Sequence, residues 1–235
     1  MPCLAARLDG QAEAGKGHHV SALAVEAIDI SKRFGARWAL SRLSFSLVQG
    51  RSLLLTGHNG SGKTTLLRII STAAFPTAGT LKVLGFDSKK ERDALRPSVA
   101  LVSHASFHYE DLTAAQNLLL SAKFLGVKDP PTTVKELLER MGLSSRADSA
   151  VRQFSAGMRK RLAIARLLMK APKVALLDEP FGELDPAGIL QMEQLIRDLQ
   201  AQGTSVVLAT HLIEQGLSLT QERLHLEGGR KVSPT

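Results

Sequence analysis

The stretch Gly57-His58-Asn59-Gly60-Ser61-Gly62-Lys63-Thr64-Thr65 carries the spacing G-x-x-x-x-G-K-[ST], whose chemistry is phosphate binding. Gly57, Gly60 and Gly62 let the backbone turn tightly and bring N–H groups against phosphate oxygens, while a following helix aims its positive end at the same point. The Lys63 ammonium reaches β- and γ-phosphates, and the Thr64 hydroxyl suits Mg²⁺. With glycine at about 7% average usage, the four fixed positions match by chance in roughly one chain of this length in a hundred. The plain alternative is a Gly/Ser-rich turn with a solvated lysine.

A second constellation lies farther along the chain. Val174 to Leu177 is an apolar run that ends in Asp178 and Glu179. In an open α/β sheet, ligands bind outside the carboxyl ends of the strands, where the glycine-rich loop also sits. There Asp178 would hold Mg²⁺ through water, and Glu179 would take the proton of an attacking water. The alternative is a pair of acids capping a helix.

These side chains need elements to hold them. Leu53-Leu54-Leu55 reads as a buried strand before the loop, and Leu66, Leu67, Ile69 and Ile70 as a helix after it. That is the setting a P-loop requires. Before it, Val25 to Ile30 and the alternating Leu43, Phe45 and Leu47 predict an antiparallel β layer, with Phe34 and Gly35 between them. Thr80 to Leu84 and Ser98 to Val102 are further strands. Thr113–Gln116 and Thr133–Glu136 both have capping-box spacing, with Pro130-Pro131 separating two helices and Gly126 and Gly142 at their ends. Residues from about 105 to 160 therefore predict a helical insertion. Beyond it, a helix from about Gly157 to Met169, the strand Val174 to Asp178, a helix from Pro186 to about Gln202 and the strand Ser205 to Ala209 imply a largely parallel sheet. A short helix after His211 and a hairpin around Gly228-Gly229 close the chain.

Composition bounds the rest. At 235 residues and 44% hydrophobic, the chain suits one or two globular domains. No apolar run approaches the roughly 18 residues of a membrane span. Arg7 and Asp9 interrupt any secretory core, so cytosolic residence is expected. The single cysteine, Cys3, lies with His18 and His19 in a tail, residues 1 to 22, expected to be unstructured. Thirty Lys+Arg against 22 Asp+Glu give a net charge of +8, which favours anionic surfaces. Outside Arg152, Arg159, Lys160, Arg161 and Arg166 the basic residues are scattered, which argues against a base-stacking nucleic-acid platform.

With Phe154-Ser155-Ala156-Gly157-Met158-Arg159 added, the chain resembles the nucleotide-binding subunits of ATP-binding-cassette (ABC) transporters, whose LSGGQ signature this hexapeptide matches in part. The resemblance spans residues 24 to 232. It implies a P-loop NTPase of α/β class, with a RecA-like parallel-sheet core, an N-terminal antiparallel β layer and a helical subdomain, all within residues 23–235. It also implies ATP and Mg²⁺ as cofactors, with His58, Asn59, Ser61 and Thr65 sharing the phosphate loop. Ser155 and Gly157 would complete the ATP site of a second protomer, most simply in a homodimer. Phe34 corresponds to the aromatic that stacks on adenine, and His211 to the histidine that contacts the γ-phosphate. Gly182-Glu183-Leu184-Asp185 corresponds to the loop that communicates between protomers. No Asn-Lys-x-Asp motif favours guanine.

Three departures stand out. Ala156 adds a methyl where the family often has Gly, Met158 removes an amide, and His104 replaces a Gln that senses Mg²⁺ or water. His104, Asp111-Leu112-Thr113-Ala114 and Asp178-Glu179-Pro180-Phe181 resemble the haem-exporter ATPases of cytochrome c maturation. The resemblance thus implies an ATPase peripheral to the inner face of the cell membrane, driving integral membrane subunits, with haem export the expected role. Exporters of a drug, lipid or polysaccharide, or a soluble ATPase of iron–sulfur assembly, are the alternatives.

Overall fold

A computed structural model of the protein describes residues 22–103 and 107–232. The N-terminal segment expected to be unstructured, apart from its last residue, and His104 lie outside these residues. Strands β1 (Leu23–Phe34) and β2 (Arg37–Val48) form a hairpin closed by Gly35 and Ala36. Both run longer than their apolar cores predict. Register shifts between Ala27 and Ile30, with Asp29 at φ 49°, let the ribbon bend and continue. β4 (Ala78–Val83) pairs on the other side of β1, and the short β5 (Phe86–Asp87) completes a four-stranded sheet in the order β2-β1-β4-β5.

The second sheet has six strands in the order β10-β9-β3-β8-β7-β6. They are β3 (Ser52–Thr56), β6 (Val99–Val102), β7 (Val174–Asp178), β8 (Ser205–Ala209), β9 (Glu222–Glu227) and β10 (Arg230–Val232). All pairings are parallel except the closing hairpin β9–β10. Strands β3, β7 and β8 are buried throughout, as parallel strands covered on both faces must be.

The pleat divides their side chains between two cores. Leu53, Leu55, Leu176 and Val207 pack with α1 (Lys63–Ile70) and the first sheet. Leu54, Ala175, Leu177 and Leu208 pack on the opposite face with α5 (Ala156–Lys170) and α6 (Pro186–Ala201). A four-residue α2 (Arg92–Leu95) precedes β6, and α7 (Ile213–Leu219) follows β8.

The helical insertion comprises α3 (Ala114–Leu125) and α4 (Pro130–Arg140), which pack on each other and on α5. Thr113 caps α3 in a full capping box with Gln116, as its spacing predicts. The second box is not realised. Asp129 caps α4 by accepting from the Thr132 amide, and Pro130 and Pro131 occupy the first helical turn. Proline's fixed φ and missing N–H suit the start of a helix, so the pair begins α4 instead of separating it from α3. Gly126 and Gly142, at φ 68° and 64°, end the two helices in the left-handed conformation glycine tolerates.

Candidate nucleotide site

Strand order assembles the site. β8 lies between β3 and β7, so three loops leave the sheet side by side at its carboxyl edge. They carry the glycine-rich loop after β3, Asp178-Glu179 at the end of β7, and Thr210-His211 after β8. A cavity of about 200 Å³ lies there, with Asn59, Gly60, Gly62, Lys63, Thr64 and Thr65 facing Asp178 and Glu179 across it.

Two glycines of the loop serve packing as well as phosphate approach. A Cβ on Gly57 would run into the Leu226 carbonyl, and one on Gly62 would stand 2.6 Å from the Ala39 carbonyl and 2.7 Å from Leu40. A Cβ on Gly60 would meet open space, although its φ of +81° still favours glycine. Gly62 is the N-cap of α1 and no side chain caps it, so the first amides of that helix face the cavity free for an anion. Lys63 is buried and donates to the carbonyls of Gly57 at 2.7 Å and His58 at 3.2 Å. The Ser61 hydroxyl is buried beneath the loop with no partner. His58 is exposed, turns its Nδ1 to the Asn59 carbonyl and does not line the cavity.

Across the cavity, Asp178 is 5% exposed. Burial pushes its carboxyl above the usual carboxylate range, and a hydrogen bond from Thr64 together with the charge of Lys63 opposes the shift. A hydroxyl and a carboxylate paired in this way are hard oxygen donors suited to Mg²⁺. Among the described residues no group of three His, Cys, Asp or Glu side chains gathers to hold a metal by itself, so these two donors fit an ion that phosphate oxygens and water complete.

Glu179 adopts φ 50°, unusual for a residue with a side chain and costly by about 1–2 kcal/mol. Its amide donates to the Ala209 carbonyl at 2.8 Å. Its carboxylate Oε2 lies 2.8 Å from His211 Nδ1 and accepts from the His211 amide at 3.3 Å. The acid and the imidazole singled out from sequence therefore meet, although 32 positions separate them.

Other expected residues lie elsewhere. Ser155 caps α5, its hydroxyl accepting from the Met158 amide at 3.2 Å. Gly157 sits so close to the 182–185 loop that a Cβ would be 2.9 Å from the Glu183 carbonyl. Asp185 caps α6 through the Gly188 amide at 3.0 Å. Phe34, 55% exposed at the end of β1, has Lys32 Nζ 5.0 Å from its ring centroid. None of these residues lines the cavity.

Sequence reading counted Lys160 only as a member of a basic cluster and gave it no part in the site. It is 6% exposed and donates to the Glu179 carbonyl at 2.5 Å. The available signal was a charge in the stripe of α5 that Ala163 and Leu167 continue, the face packed on the core.

Comparison with known proteins identifies the family. The family model described as ABC transporter matches residues 40–182. The chain is 36% identical over 204 residues to the daunorubicin resistance ATP-binding protein DrrA3 of Streptomyces coeruleorubidus, covering 86% of this chain and 65% of that protein. It is 32% identical to the Nod factor export ATP-binding protein I of Rhizobium johnstonii, covering 91% and 70%. Against the bacitracin transport ATP-binding protein BcrA of Bacillus licheniformis identity is 34%, with 81% and 62% covered. The chain thus spans about two thirds of the length of these relatives. A solved dimeric ATP-binding cassette in a post-hydrolysis state, bound to ADP and Pi, superposes with TM-score 0.82 at 25% identity, covering 89% of this chain and 97% of that one.

Proposed function

The chain belongs to the ABC transporter ATP-binding proteins, and from that premise we propose that this ATPase powers an exporter by closing two copies of itself around two Mg·ATP. The observation that carries the reading is the cavity flanked by Lys63 and Thr64 on one side and Asp178 and Glu179 on the other, with His211 against Glu179.

In this reading the α1 amides and Lys63 bind the β- and γ-phosphates. Thr64 and Asp178 hold Mg²⁺, which neutralises phosphate charge. Glu179 accepts the proton of the water that attacks the γ-phosphorus, and His211 orients that water and the phosphate. Ser155 and Gly157 sit at an exposed helix N-terminus away from the cavity of their own chain, an arrangement that suits donation to a partner's nucleotide. Phe34, exposed at its hairpin end, offers a face for adenine. The dimeric state of the solved cassette supports the pairing of two chains.

An apolar groove of about 440 Å³ runs between β6, α3 and α5, bordered by Phe107, Phe124, Arg166 and Lys170. It supports a partner docked beside the helical insertion. We assign that partner to integral membrane subunits, which places the ATPase at the inner face of the cell membrane. No helix among the described residues is long and apolar enough to cross a membrane itself.

For the cargo, relatives named for daunorubicin resistance, Nod factor export and bacitracin transport favour the alternative of another exporter, for a drug, lipid or polysaccharide. They weigh against haem export, whose support is confined to His104 and the short segments Asp111–Ala114 and Asp178–Phe181. The first test is Glu179→Gln, which keeps size and hydrogen bonding but cannot act as a base. ATP hydrolysis should fall about 10²–10⁴-fold with ATP binding retained, and brisk hydrolysis would remove Glu179 from the mechanism. Cells carrying that variant as the only copy should keep normal covalent haem in c-type cytochromes. A specific loss would restore the haem-export reading.

A further inference from the structure

The backbone of Glu179 is held from both sides. Toward the sheet, its N–H donates to the Ala209 carbonyl at the end of β8. Toward the helical layer, its carbonyl accepts from Lys160 Nζ at 2.5 Å and from the Gly182 amide at 3.3 Å. Between these anchors the residue takes the left-handed conformation, φ 50°, that sends its carboxylate to His211. Left-handed backbone at a residue with a Cβ persists only where its surroundings impose it.

Lys160 is the one side chain among the hydrogen bonds described for the Glu179 backbone. Burial disfavours its charge, and the nearby carboxylates of Glu183, Glu179 and Asp178, at the end of β7 and in the loop after it, favour it. Its ammonium stands 3.7 Å from where a Cβ on Gly182 would be, so the loop closes directly over it. The helix that begins at Ser155 is thereby tied to the carbonyl of the residue assigned as general base.

We propose that Lys160 is a positioning residue for hydrolysis: it clamps the Glu179 carbonyl so that the carboxylate stays against His211 and over the cavity. The inference rests on the reading of Glu179 as base given above. Without the clamp, the backbone relaxes to negative φ and the carboxylate swings away from His211. Nucleotide binding, which uses the glycine-rich loop, is untouched.

The test compares Lys160→Met, which keeps the buried aliphatic stem and deletes the donor, with Lys160→Arg, which keeps a cationic donor. Three readouts are taken: kcat and KM for Mg·ATP, affinity for a fluorescent ATP analogue, and the His211 imidazole resonances of the nucleotide-free protein. Lys160→Met should lower kcat at least tenfold with analogue affinity within about twofold of the parent. It should also move the His211 resonances to the positions they take in Glu179→Ala, where no side chain reaches the imidazole. Lys160→Arg should recover both kcat and the resonance positions in large part. Unchanged kcat in Lys160→Met overturns the proposal. So does a fall in kcat with the His211 resonances unmoved, since a merely structural lysine would behave that way. If Lys160→Met does not fold, Lys160→Arg carries the test, and parent-like His211 resonances with parent-like kcat are then required. Failure of the underlying reading is separate, because Glu179→Gln would then hydrolyse ATP briskly whatever Lys160 does.

Discussion

In the proposed function the carboxyl edge of the parallel sheet and the N-terminus of α5 both meet phosphate, yet they are finished to different degrees. At the sheet edge, Lys63 and Asp178 are buried, their polar atoms are engaged, and the cavity exists within one chain. At α5, Ser155 is exposed and the hydroxyl does no more than cap its own helix. The first is preorganised by strands that the fold needs in any case. Among the described residues the second faces no cavity like the first, and in the proposed function its chemistry waits on another surface.

The largest effect should come from the finished side. Lys63→Ala deletes a charged donor aimed at phosphate, and hydrogen bonds to charged groups contribute about 1.5–3 kcal/mol. ATP affinity should therefore fall roughly 10–100-fold at any protein concentration, as measured by nucleotide titration. Unchanged affinity would move phosphate binding away from the glycine-rich loop.

Ser155→Ala should instead separate the two regions. ATP affinity measured on dilute protein should stay near the parent value, while hydrolysis at high protein concentration falls. Loss of the cap should cost about 1 kcal/mol of stability. Equal loss of binding and hydrolysis in dilute protein would put Ser155 in the cavity of its own chain and erase the contrast.

The smallest effect concerns what anchors α5. His108 is paired with the Arg159 carbonyl at 3.0 Å. Burial, with Arg166 and Arg159 nearby, holds its imidazole below the usual histidine value of 6.5, and the bond to Arg159 opposes the shift. Above pH 6.5 both folded and unfolded states carry it neutral. As pH falls below that value, the unfolded chain takes up the proton first, so stability declines with falling pH. Denaturant midpoints between pH 7.5 and 5 should show this slope, and His108→Gln should flatten it.

The parts legible in sequence were those whose spacing is local. The glycine-rich loop, the apolar strand ending in Asp178 and the Thr113 capping box each declare themselves within a few residues. Pairing of Glu179 with His211 depends on β8 lying between β3 and β7, so no local spacing announced it: the two residues were singled out separately, His211 through the resemblance to a known family. The start of α4 was misplaced because Thr133–Glu136 satisfies one capping rule while Asp129 with Pro130 and Pro131 satisfies a stronger one. The place of Lys160 beside Glu179 was missed, its charge being read only as part of a basic cluster, because it depends on which face of α5 turns inward and on where a distant loop folds back.

The insertion of β8 between β3 and β7 also sets the order in which the chain can become whole. Strands β3, β6 and β7 leave the ribosome before β8, yet β3 gains a hydrogen-bonded neighbour within its sheet only when residues 205–227 arrive. Until then β3 and one side of β7 present bare, apolar ladders of the kind that recruit strands from other molecules. A chain halted near residue 200 would hold the phosphate loop and both carboxylates and still have no closed sheet to carry them. Its main hazard would be aggregation, and a truncation there should be recovered in the insoluble fraction.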